Sequence, residues 1–509
     1  MASSDGALTD HNAQDLQQGH AAGVLSHEWC YRMNSVDWWR CACAALITAS
    51  WISSLAAGLQ PSLIYLLPLT ILGVVTGVTC ILALLTDRQW AILAFLGFVV
   101  IVPALSFRSR EIGTIGLDWQ NGIKLVLWFL LLGICIVKIR SYGDLLKDSV
   151  ILGFLSFISF GLISSLYSPV PLYSAVCALG VAGYLLFACF IAANVAERTI
   201  LRTLTFCMAG YFLATWLYAL LFPDQAFLPP YGDREIYRLF GLSSHPNMLA
   251  VEVSCLLCIM LTAVSRGHLS KKWAWAIGLL AAITILNTGS RTSALALVLA
   301  AAAAQIRARG WGLPFLVLIS VCGVAFALAA GLGLMPGLDE LVSPASRTGD
   351  AGEILTMTGR TELWSFVWDT IMRRPFFGYG FNSAEAVLAQ NWYGNPDAGY
   401  NAHNTFLQAL LTVGFVGTFP LIAAYVILVY RWFARRQSLA SYVTPYLTIV
   451  GITEVHIASN PFLLTLVAFL AIALDALALQ NSRSVSRSAS HINRAAGPNR
   501  LMAGDPAGT

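Results

Sequence analysis

Residues 149–195 read SVILGFLSFISFGLISSLYSPVPLYSAVCALGVAGYLLFACFIAANV and contain no Asp, Glu, Lys or Arg. Two apolar stretches, 149–167 and 172–195, are joined there by the short Ser- and Pro-containing connection 168–171. An α-helix needs about 20 residues to cross roughly 30 Å of hydrocarbon, and each stretch is close to that length. The segment therefore predicts two transmembrane helices joined by a tight turn.

Similar apolar stretches recur along the 509 residues, of which 57% are hydrophobic and only 11% are charged. A soluble domain typically carries about 25% charged residues, so this composition favours lipid as the main solvent. The sequence predicts an all-α fold, a polytopic transmembrane helical bundle of about fourteen helices. The predicted spans lie near 41–59, 62–85, 89–107, 122–139, 149–167, 172–195, 200–222, 247–264, 273–288, 292–306, 313–334, 403–430, 441–458 and 461–479.

Positive charge alternates between the connections of these spans, which indicates their orientation. Every second connection is basic, and the connections between them at 60–62, 168–171 and 459–460 carry no charge. We therefore expect the basic connections and both termini to be cytoplasmic, with the loop 108–121 as a local exception. The basic set comprises Arg88, Lys138, Arg140, Lys147, Arg198, Arg202, Arg266, Lys271, Lys272, Arg307, Arg309, Arg431, Arg435 and Arg436.

This orientation predicts the domain organisation. Polar residues 1–40, which do not resemble a cleavable signal peptide, should form a disordered cytoplasmic tail, and Ser-, Arg- and Gly-rich residues 481–509 a second one. Between the tails we expect N-terminal transmembrane helices over 41–195 and a main transmembrane domain over 196–480. Two outer segments of that domain, 223–246 and 335–402, are too long to be turns, and loops of such length are usually functional.

The longer outer segment contains GRTELWSFVWDTIMRR at 359–374. Its apolar residues Trp364, Val367 and Ile371 are spaced to share one helical face, and two arginines precede Pro375. The pattern predicts a short amphipathic helix lying on the membrane.

The segment AHNTFLQALLTVGFVG, residues 402–417, is the most informative for chemistry. His403 falls where the long outer segment becomes a helix, and the positive end of the helix dipole disfavours an imidazolium there. A neutral ring is what a general base needs to accept a proton from a sugar hydroxyl. Asn404 would orient the ring or the acceptor, while Gly414 and Gly417 would let neighbouring helices approach closely. The alternative is an interfacial histidine satisfied by water.

Arginine rather than lysine dominates the predicted outer face. A guanidinium can bind a phosphate through two parallel hydrogen bonds, which an ammonium cannot do. Arg291, in the tight connection NTGSRTS at 287–293, is a lone charge between two spans and is therefore a functional candidate. The alternative for each arginine is a solvated side chain or a lipid-phosphate contact. The outer arginines are Arg234, Arg238, Arg291, Arg347, Arg360, Arg373 and Arg374.

Two further segments contain candidate residues. Arg238 and His245 flank a turn in RLFGLSSHPNMLA at 238–250, where His245 is either a substrate-binding residue or a neighbour of a helix cap. Glu454 and His456, in GITEVHIASNP at 451–461, should lie near the outer end of a membrane helix. A buried acid there needs a partner, and we expect one of the outer arginines.

Several chemistries have no signature in this chain. It contains no Asp-x-Asp, no H-E-x-x-H, no P-loop pattern and no G-x-S-x-G, so no metal site or cofactor is predicted. It also lacks a basic run interleaved with aromatic residues, so nucleic acid is not an expected partner.

These segments together resemble the superfamily of bacterial O-antigen ligases and O-antigen polymerases. The ligase signature is His, then Asn, Ser or Gln, nine residues, Gly, two residues, then Gly, Thr or Tyr. His403-Asn404, TFLQALLTV, Gly414, Phe415-Val416 and Gly417 match it in full. An arginine followed four residues later by leucine, also found in the family, matches Arg238 and Leu242. The resemblance covers roughly residues 200–470.

The resemblance implies a fold like that of the GT-C type membrane glycosyltransferases, with a periplasmic active site in the bacterial inner membrane. The donor would be an undecaprenyl-diphosphate-linked glycan, and the transfer would be metal-independent and inverting. His403 would activate the acceptor hydroxyl, and Arg238 and Arg291 would hold the diphosphate as it leaves. Arg360 is a further candidate for that role, and Asn404, His245 and Glu454 are candidate substrate-binding residues.

The resemblance leaves the acceptor open. A polymerase would join lipid-linked repeats of an O-antigen, exopolysaccharide or capsule, a ligase would transfer finished glycan to lipid A-core, and a protein O-oligosaccharyltransferase would modify side chains. Other polysaccharide-assembly proteins are possible partners, beside membrane lipids. A transporter or flippase of lipid-linked glycan is the competing class, although such proteins place ionisable residues near the bilayer midplane.

Overall fold

The computed structural model describes residues 89–105, 119–229, 237–309, 360–389, 392, 400–434 and 439–495. The predicted spans near 41–59, 62–85 and 313–334 lie outside these residues, as do the tail 1–40, the end of the tail 481–509 and most of the loop 335–402. Contacts divide the chain into two compact units, Met1–Phe98 and Val99–Thr509. The candidate residues that the structure describes all belong to the second unit.

The described chain is mostly helical. Its helices are α1 (Gln89–Ala104), α2 (Trp119–Val137), α3 (Ser149–Ser164), α4 (Pro171–Asn194), α5 (Glu197–Leu221), α6 (Pro223–Ala226), α7 (Pro246–Ser265), α8 (Lys271–Thr288), α9 (Arg291–Ala308), α10 (Arg360–Arg373), α11 (Ala384–Leu388), α12 (Thr405–Ala434), α13 (Ala440–Val450) and α14 (Leu463–Ala495). Short 3₁₀ turns occupy Ile139–Ser141, Leu145–Lys147 and Ser165–Tyr167. Strands β1 (Phe227–Leu228) and β2 (Arg238–Leu239) form an antiparallel pair in which Leu228 faces Arg238.

Six of the described helices are long and apolar enough to cross a membrane: α3, α4, α5, α7, α12 and α14. Two shorter apolar segments, Ala91–Ala104 and Lys124–Val137, lie within α1 and α2. The chain is therefore a helical membrane protein, as predicted, but the expected number of about fourteen spans is not confirmed. The last helix continues to Ala495, beyond the boundary at 480 that the composition of the tail suggested.

The core forms where the long helices pack side by side. Helix α3 packs along α12, and α4 packs against α2, α3 and α14. The α3–α12 contact depends on Gly153, where an added Cβ would lie 2.8 Å from the Cβ of Ala424. Interiors are close-packed, so a glycine at such a crossing lets the two backbones approach.

Helix α12 is interrupted at Gly414, which the sequence did not predict. Its φ of 68° and ψ of −174° are non-helical, and this conformation is open essentially to glycine alone. The segment after α10 fills the break, because Phe415 N donates to Pro375 O (2.8 Å) and Gly380 N donates to Thr412 O (2.7 Å). Gly414 therefore admits a loop backbone rather than a neighbouring helix, and our expectation is corrected for this residue. It holds for Gly417, whose added Cβ would lie 3.3 Å from Phe160 of α3.

Helix α13 is shorter than the predicted span 441–458, because it ends at Val450. Residues 451–462 form an irregular connection to α14, so Glu454 and His456 lie beyond the helix rather than within it. Side chains from other elements bind the carbonyls freed by this ending: Arg360 reaches Thr453 O, and Thr405 Oγ1 donates to Glu454 O at 2.9 Å. The connection is thereby fixed despite its lack of regular structure.

The predicted amphipathic segment is helix α10, which ends at Arg373. Leu363, Val367 and Ile371 are fully buried and belong to a hydrophobic cluster that includes Leu411 of α12. Arg373 and Arg374 are exposed, and the Arg374 guanidinium lies 4.9 Å from the centre of the Tyr379 ring. The C-terminal end of α10 therefore leads into the segment at the break in α12, and its first residue is Arg360.

Candidate active site

The candidate residues meet at one end of the bundle, because the ends of six helices meet there. His245, Arg291, His403 and Glu454 each lie near a helix end in the chain. These ends are the beginnings of α7, α9, α12 and α14 and the ends of α8 and α13. The opposite end of the bundle holds a different set of ion pairs, including Arg431–Asp148 at 2.8 Å and Arg266–Glu197. The predicted site is therefore confined to one end of the bundle.

Arg238 is fixed by two hydrogen bonds that use different arms of its guanidinium. Its Nε donates to Thr288 O at 2.8 Å, and one Nη donates to Asn247 Oδ1 at 2.7 Å. Thr288 is the last residue of α8, and Arg291 opens α9 three residues later. The structure thus places Arg238 beside the tight connection that carries Arg291.

Asn247 links Arg238 to the acidic residue of the site. While its Oδ1 accepts from Arg238, its Nδ2 points to Glu454 Oε1 at 3.5 Å. No sequence pattern predicts this bridge, because Asn247 is simply the second residue of α7, after Pro246. The contact between Asn247 and Glu454 depends on the position of the connection 451–462 against α7.

His245 caps helix α7. Its Nδ1 accepts a hydrogen bond from Asn247 N at 3.2 Å, and the backbone of His245 is extended, as is usual for a residue preceding a helix. Of the two interpretations considered for His245, the structure supplies the contact expected of a cap. Its proposed role in substrate binding stays a prediction.

Glu454 is the centre of the polar network. Its Oε1 accepts from Arg360 at 2.8 Å, and its Oε2 lies 3.5 Å from His403 Nδ1. The side chains of Arg360 and Glu454 are only 12% and 9% exposed, so the pair is largely removed from water. A buried acid was expected to have an outer arginine as its partner, and Arg360 occupies that position.

The environment holds Glu454 ionised. Burial by itself would raise its pKa, but the neighbouring His403 and the Arg360 guanidinium outweigh burial and lower the pKa to about 2. The carboxylate is therefore negatively charged throughout the physiological range.

His403 lies two residues before α12 in a backbone conformation that is uncommon for a side-chain-bearing residue. Its φ is 44°, its N donates to Asn401 Oδ1 at 2.6 Å, and its ring packs edge-on against Tyr400 at 5.1 Å. The residue is 7% exposed. Within the described part of the chain, Nδ1 has no hydrogen bond of normal geometry, although it faces the Glu454 carboxylate. Left-handed non-glycine residues are often found at functional sites.

Asn404 is the residue that caps α12. Its Oδ1 accepts from Phe406 N at 2.9 Å and from Leu407 N at 3.0 Å, and its Nδ2 donates to Ile452 O at 3.1 Å. The amide thus joins the start of α12 to the connection 451–462. We expected Asn404 to orient the His403 ring or the acceptor, whereas its observed contacts are to backbone. Its role in substrate binding stays a prediction.

Of the other outer arginines, Arg234 and Arg347 lie outside the described residues. In the parts of the chain that the structure describes, no group of three or more His, Cys, Asp or Glu side chains is arranged to hold a metal ion. Two guanidinium groups are joined to Glu454, that of Arg360 directly and that of Arg238 through Asn247, and Arg291 opens α9 three residues after Thr288, whose carbonyl Arg238 contacts. They are suited to an anionic ligand because guanidinium forks pair with phosphate oxygens.

The fold and the site together describe a helical membrane protein whose arginines, histidine and glutamate meet at one end of the bundle. Residues 276–422 match the family model of the O-antigen ligase domain. This match includes Arg291, Arg360, His403, Gly414 and Gly417. It confirms, together with the relative described next, the resemblance to the O-antigen ligase and polymerase superfamily.

A curated relative is the exopolysaccharide production protein ExoQ of Rhizobium meliloti (strain 1021). It is 29% identical over 269 residues, which cover 49% of this chain and 58% of that protein. The chain therefore matches less than two thirds of the relative's length. The match supports the superfamily and leaves the activity of the whole chain to be proposed.

Proposed function

We propose that this protein is an inner-membrane glycosyltransferase that transfers or polymerises undecaprenyl-diphosphate-linked glycan on the periplasmic face during the biosynthesis of a surface polysaccharide. One observation carries the proposal: the carboxylate of Glu454 lies against both His403 and Arg360 and is joined through Asn247 to Arg238. The site thus combines a candidate base with two arginines suited to a diphosphate, and Arg291 opens α9 three residues after Thr288, whose carbonyl accepts from Arg238.

The proposed base is Nε2 of His403. Because Nδ1 faces the Glu454 carboxylate at 3.5 Å, the favoured tautomer carries its proton on Nδ1, and Nε2 retains its lone pair. A carboxylate that orients an imidazole in this way also stabilises the imidazolium that forms when the base takes a proton. Hydrogen bonds between catalytic groups are often long without substrate and tighten in the substrate complex, so a separation of 3.5 Å is compatible with this role.

In the proposed reaction, an acceptor hydroxyl oxygen attacks the anomeric carbon of the lipid-linked glycan. His403 Nε2 takes the hydroxyl proton, a new glycosidic C–O bond forms, and the bond from the anomeric carbon to the diphosphate oxygen breaks. The undecaprenyl diphosphate leaves with the bonding electron pair. Arg238, Arg291 and Arg360 neutralise the negative charge that develops on it, which stabilises the transition state electrostatically. Attack from the face opposite the leaving group inverts the anomeric centre.

The distribution of charge supports a periplasmic site. Basic residues at the other end of the bundle include Lys147, Arg202, Arg266 and Arg431, in the connections that the positive-inside rule assigns to the cytoplasm. A catalytic centre at the opposite end then faces the periplasm, where a lipid-linked glycan is displayed after translocation. The same assignment leaves both termini in the cytoplasm.

The matches to known proteins support a role in polysaccharide synthesis. The matched domain is that of O-antigen ligases, and the relative is described as an exopolysaccharide production protein. The second description favours exopolysaccharide among the possible products, without distinguishing a polymerase from a ligase. A transporter of the same lipid-linked glycan fits less well, because the candidate residues Arg238, Arg360, His403 and Glu454 lie at helix ends or in connections rather than at mid-span.

A deletion strain tests the proposal directly. If the protein is a polymerase, its loss leaves lipid-linked single repeats in the membrane, which a gel separates from polymer. If it is a ligase, long lipid-linked chains accumulate instead. Purified protein added to those membranes should convert the accumulated material, whereas His403→Ala protein should not. Conversion by His403→Ala at the normal rate, or accumulation of donor on the cytoplasmic face alone, would refute the proposal.

A further inference from the structure

A second histidine lies behind the candidate site and has no part in the mechanism above. His456 is fully buried in the connection 451–462, two residues after Glu454. Its ring is held between two side chains of α12: Nδ1 lies 2.8 Å from Thr405 Oγ1, and Nε2 lies 2.7 Å from Tyr425 OH. Its carbonyl accepts a hydrogen bond from Thr465 in the first turn of α14. His456 therefore joins the connection 451–462 to α12 through its ring and to α14 through its carbonyl.

The hydrogen bonds determine the direction in which the protons point. Thr405 Oγ1 also lies 2.9 Å from the carbonyl of Glu454, which can only accept, so the Thr405 hydroxyl donates there. Its oxygen must then accept from His456 Nδ1–H, and His456 Nε2 accepts from the Tyr425 hydroxyl. Burial lowers the pKa of His456 to about 4, which agrees with a neutral ring that carries a single N–H.

This assignment satisfies every polar group with a single set of protons. The order is Tyr425 O–H to His456 Nε2, His456 Nδ1–H to Thr405 Oγ1, and Thr405 Oγ1–H to the carbonyl of Glu454. The opposite tautomer would turn the Thr405 hydroxyl towards His456 and leave the carbonyl of Glu454 without this donor. Buried polar groups are normally all paired, so the first arrangement is favoured.

We infer that His456 is a positioning residue that, through Thr405, holds Glu454 in place against His403 and Arg360. The inference rests on the proposed function, since it concerns the carboxylate that orients the candidate base. Glu454 belongs to an irregular connection, and its backbone carbonyl is fixed by the first residue of α12, two residues after His403. The distance between the carboxylate and the imidazole is therefore set by the Thr405 and His456 contacts as well as by their own attraction.

The test compares variants that remove the hydrogen bonds with variants that keep them. Thr405→Val is isosteric and lacks the hydroxyl, whereas Thr405→Ser retains it. His456→Leu lacks both polar contacts, whereas in His456→Asn the side-chain amide can replace Nδ1–H as the donor to Thr405. Tyr425→Phe removes only the hydrogen bond from the Tyr425 hydroxyl to His456 Nε2 and leaves the contacts of Thr405 in place. Each purified variant is assayed with the lipid-linked glycan extracted from membranes of the deletion strain, and its thermal unfolding is recorded.

A positioning role predicts a loss in turnover rather than in donor binding. We expect kcat of Thr405→Val and His456→Leu to fall about tenfold to a hundredfold, as small misplacements of catalytic groups do, with the KM for the donor unchanged. Thr405→Ser and His456→Asn should recover most of the lost turnover. Tyr425→Phe, which folds with a nearly unchanged shape, should lose less than Thr405→Val.

Three results would overturn the inference: wild-type kcat in Thr405→Val, equal losses in Thr405→Val and Thr405→Ser, or a loss confined to KM. If Thr405→Val or His456→Leu fails to fold, Tyr425→Phe and Thr405→Ser still decide the matter, since kcat close to that of the wild type is expected only of Thr405→Ser. The proposed function fails separately, when His403→Ala retains normal transfer. An inactive His403→Ala beside a fully active Thr405→Val would refute the positioning role alone.

Discussion

The imidazole Nδ1 of His403 lies 3.5 Å from the carboxylate Oε2 of Glu454, although the two residues are 51 positions apart in the chain. Helix α12 and the connection after α13 bring them together, and the other carboxylate oxygen accepts from Arg360. This contact gives the candidate base a fixed orientation. It also adds to the candidate site an acid that the ligase signature does not contain.

The first prediction concerns the base itself. His403→Ala should reduce glycan transfer by a factor of about 10² to 10⁴, the range that general-base catalysis contributes. Membrane insertion should be unchanged, because one residue at a helix end does not alter the hydropathy of the spans. Transfer is measured with purified protein and extracted lipid-linked glycan, and insertion by the amount of protein in the membrane fraction. Normal transfer by the variant would exclude His403 as the base.

A second prediction follows from the lowered pKa of Glu454. A carboxyl whose pKa is lower in the folded state contributes stability at pH values above its ordinary pKa, and this contribution is lost as the pH falls towards the folded value. For Glu454 these limits are 4.5 and about 2. Glu454→Gln should therefore unfold at a lower temperature than the wild type at pH 7, and the difference should shrink below about pH 4.5.

Thermal unfolding of both proteins between pH 7 and pH 3 provides the measurement. A difference that stays constant over this range, or that grows on acidification, would contradict an ionised Glu454 stabilised by its neighbours. Above pH 5 the carboxylate is fully charged, so any change in transfer between pH 5 and pH 8 must come from another group.

The third prediction distinguishes a guanidinium fork from a simple positive charge. Arg238 uses Nε for Thr288 O and one Nη for Asn247 Oδ1, and a lysine ammonium cannot occupy both positions. Arg238→Lys should therefore lose most of the transfer activity. The matched control is Arg202→Lys, since Arg202 also donates through Nε to a carbonyl, that of His268, at the opposite end of the bundle. Equal activities in the two variants would argue for charge attraction alone.

Much of the architecture follows from the sequence because lipid imposes a simple rule on length and polarity. Every predicted span within the described residues contains a helix, and the apolar spacing of Trp364, Val367 and Ile371 predicted α10, in which Val367 and Ile371 are buried and Trp364 is half-buried. The gathering of His403, Arg291 and Glu454 at one end follows from the alternation of the helices. Once spans are assigned, their order in the chain decides which residues share an end of the bundle.

The contacts within the site could not be predicted in the same way. Asn247 and Thr405 are ordinary helix-start residues in the sequence, and their contacts to Glu454 depend on where the irregular connection 451–462 lies. The signature makes Asn404 a candidate substrate ligand, and it does not reveal that the amide of Asn404 also caps α12. A local sequence pattern identifies the type of side chain at a position, but it does not predict which hydrogen-bond partner the tertiary structure brings to that side chain.

A fourth prediction concerns the pair between Arg360 and Glu454. Removing one member of a largely buried ion pair leaves the other charge without compensation, so the single variants Arg360→Gln and Glu454→Gln should each be strongly destabilised. The double variant should be less destabilised than the sum of the two, with a coupling free energy of about 0.5 to 3 kcal/mol. Denaturation of all four proteins in the same detergent gives the cycle. Additive effects would show that the two residues do not interact measurably.

The last prediction tests the break in α12. An added Cβ at Gly414 would lie 2.3 Å from the carbonyl carbon and oxygen of Phe376, and the φ of 68° is itself unfavourable for alanine. Gly414→Ala should therefore destabilise the protein by at least about 1 to 3 kcal/mol, since strain and the clash act together.

Gly210→Ala in α5 is the matched control, because nothing lies within 4 Å of its added Cβ and alanine favours a helix. Thermal unfolding should show a lower midpoint for the first variant and an unchanged or higher midpoint for the second. Because the segment 375–380 begins just after α10, whose first residue is Arg360, Gly414→Ala should also reduce transfer, at most to the fraction of the protein that remains folded. If instead the two glycine variants unfold at the same temperature, α12 would have to tolerate a continuous helix through residue 414, and the loop would not need the break.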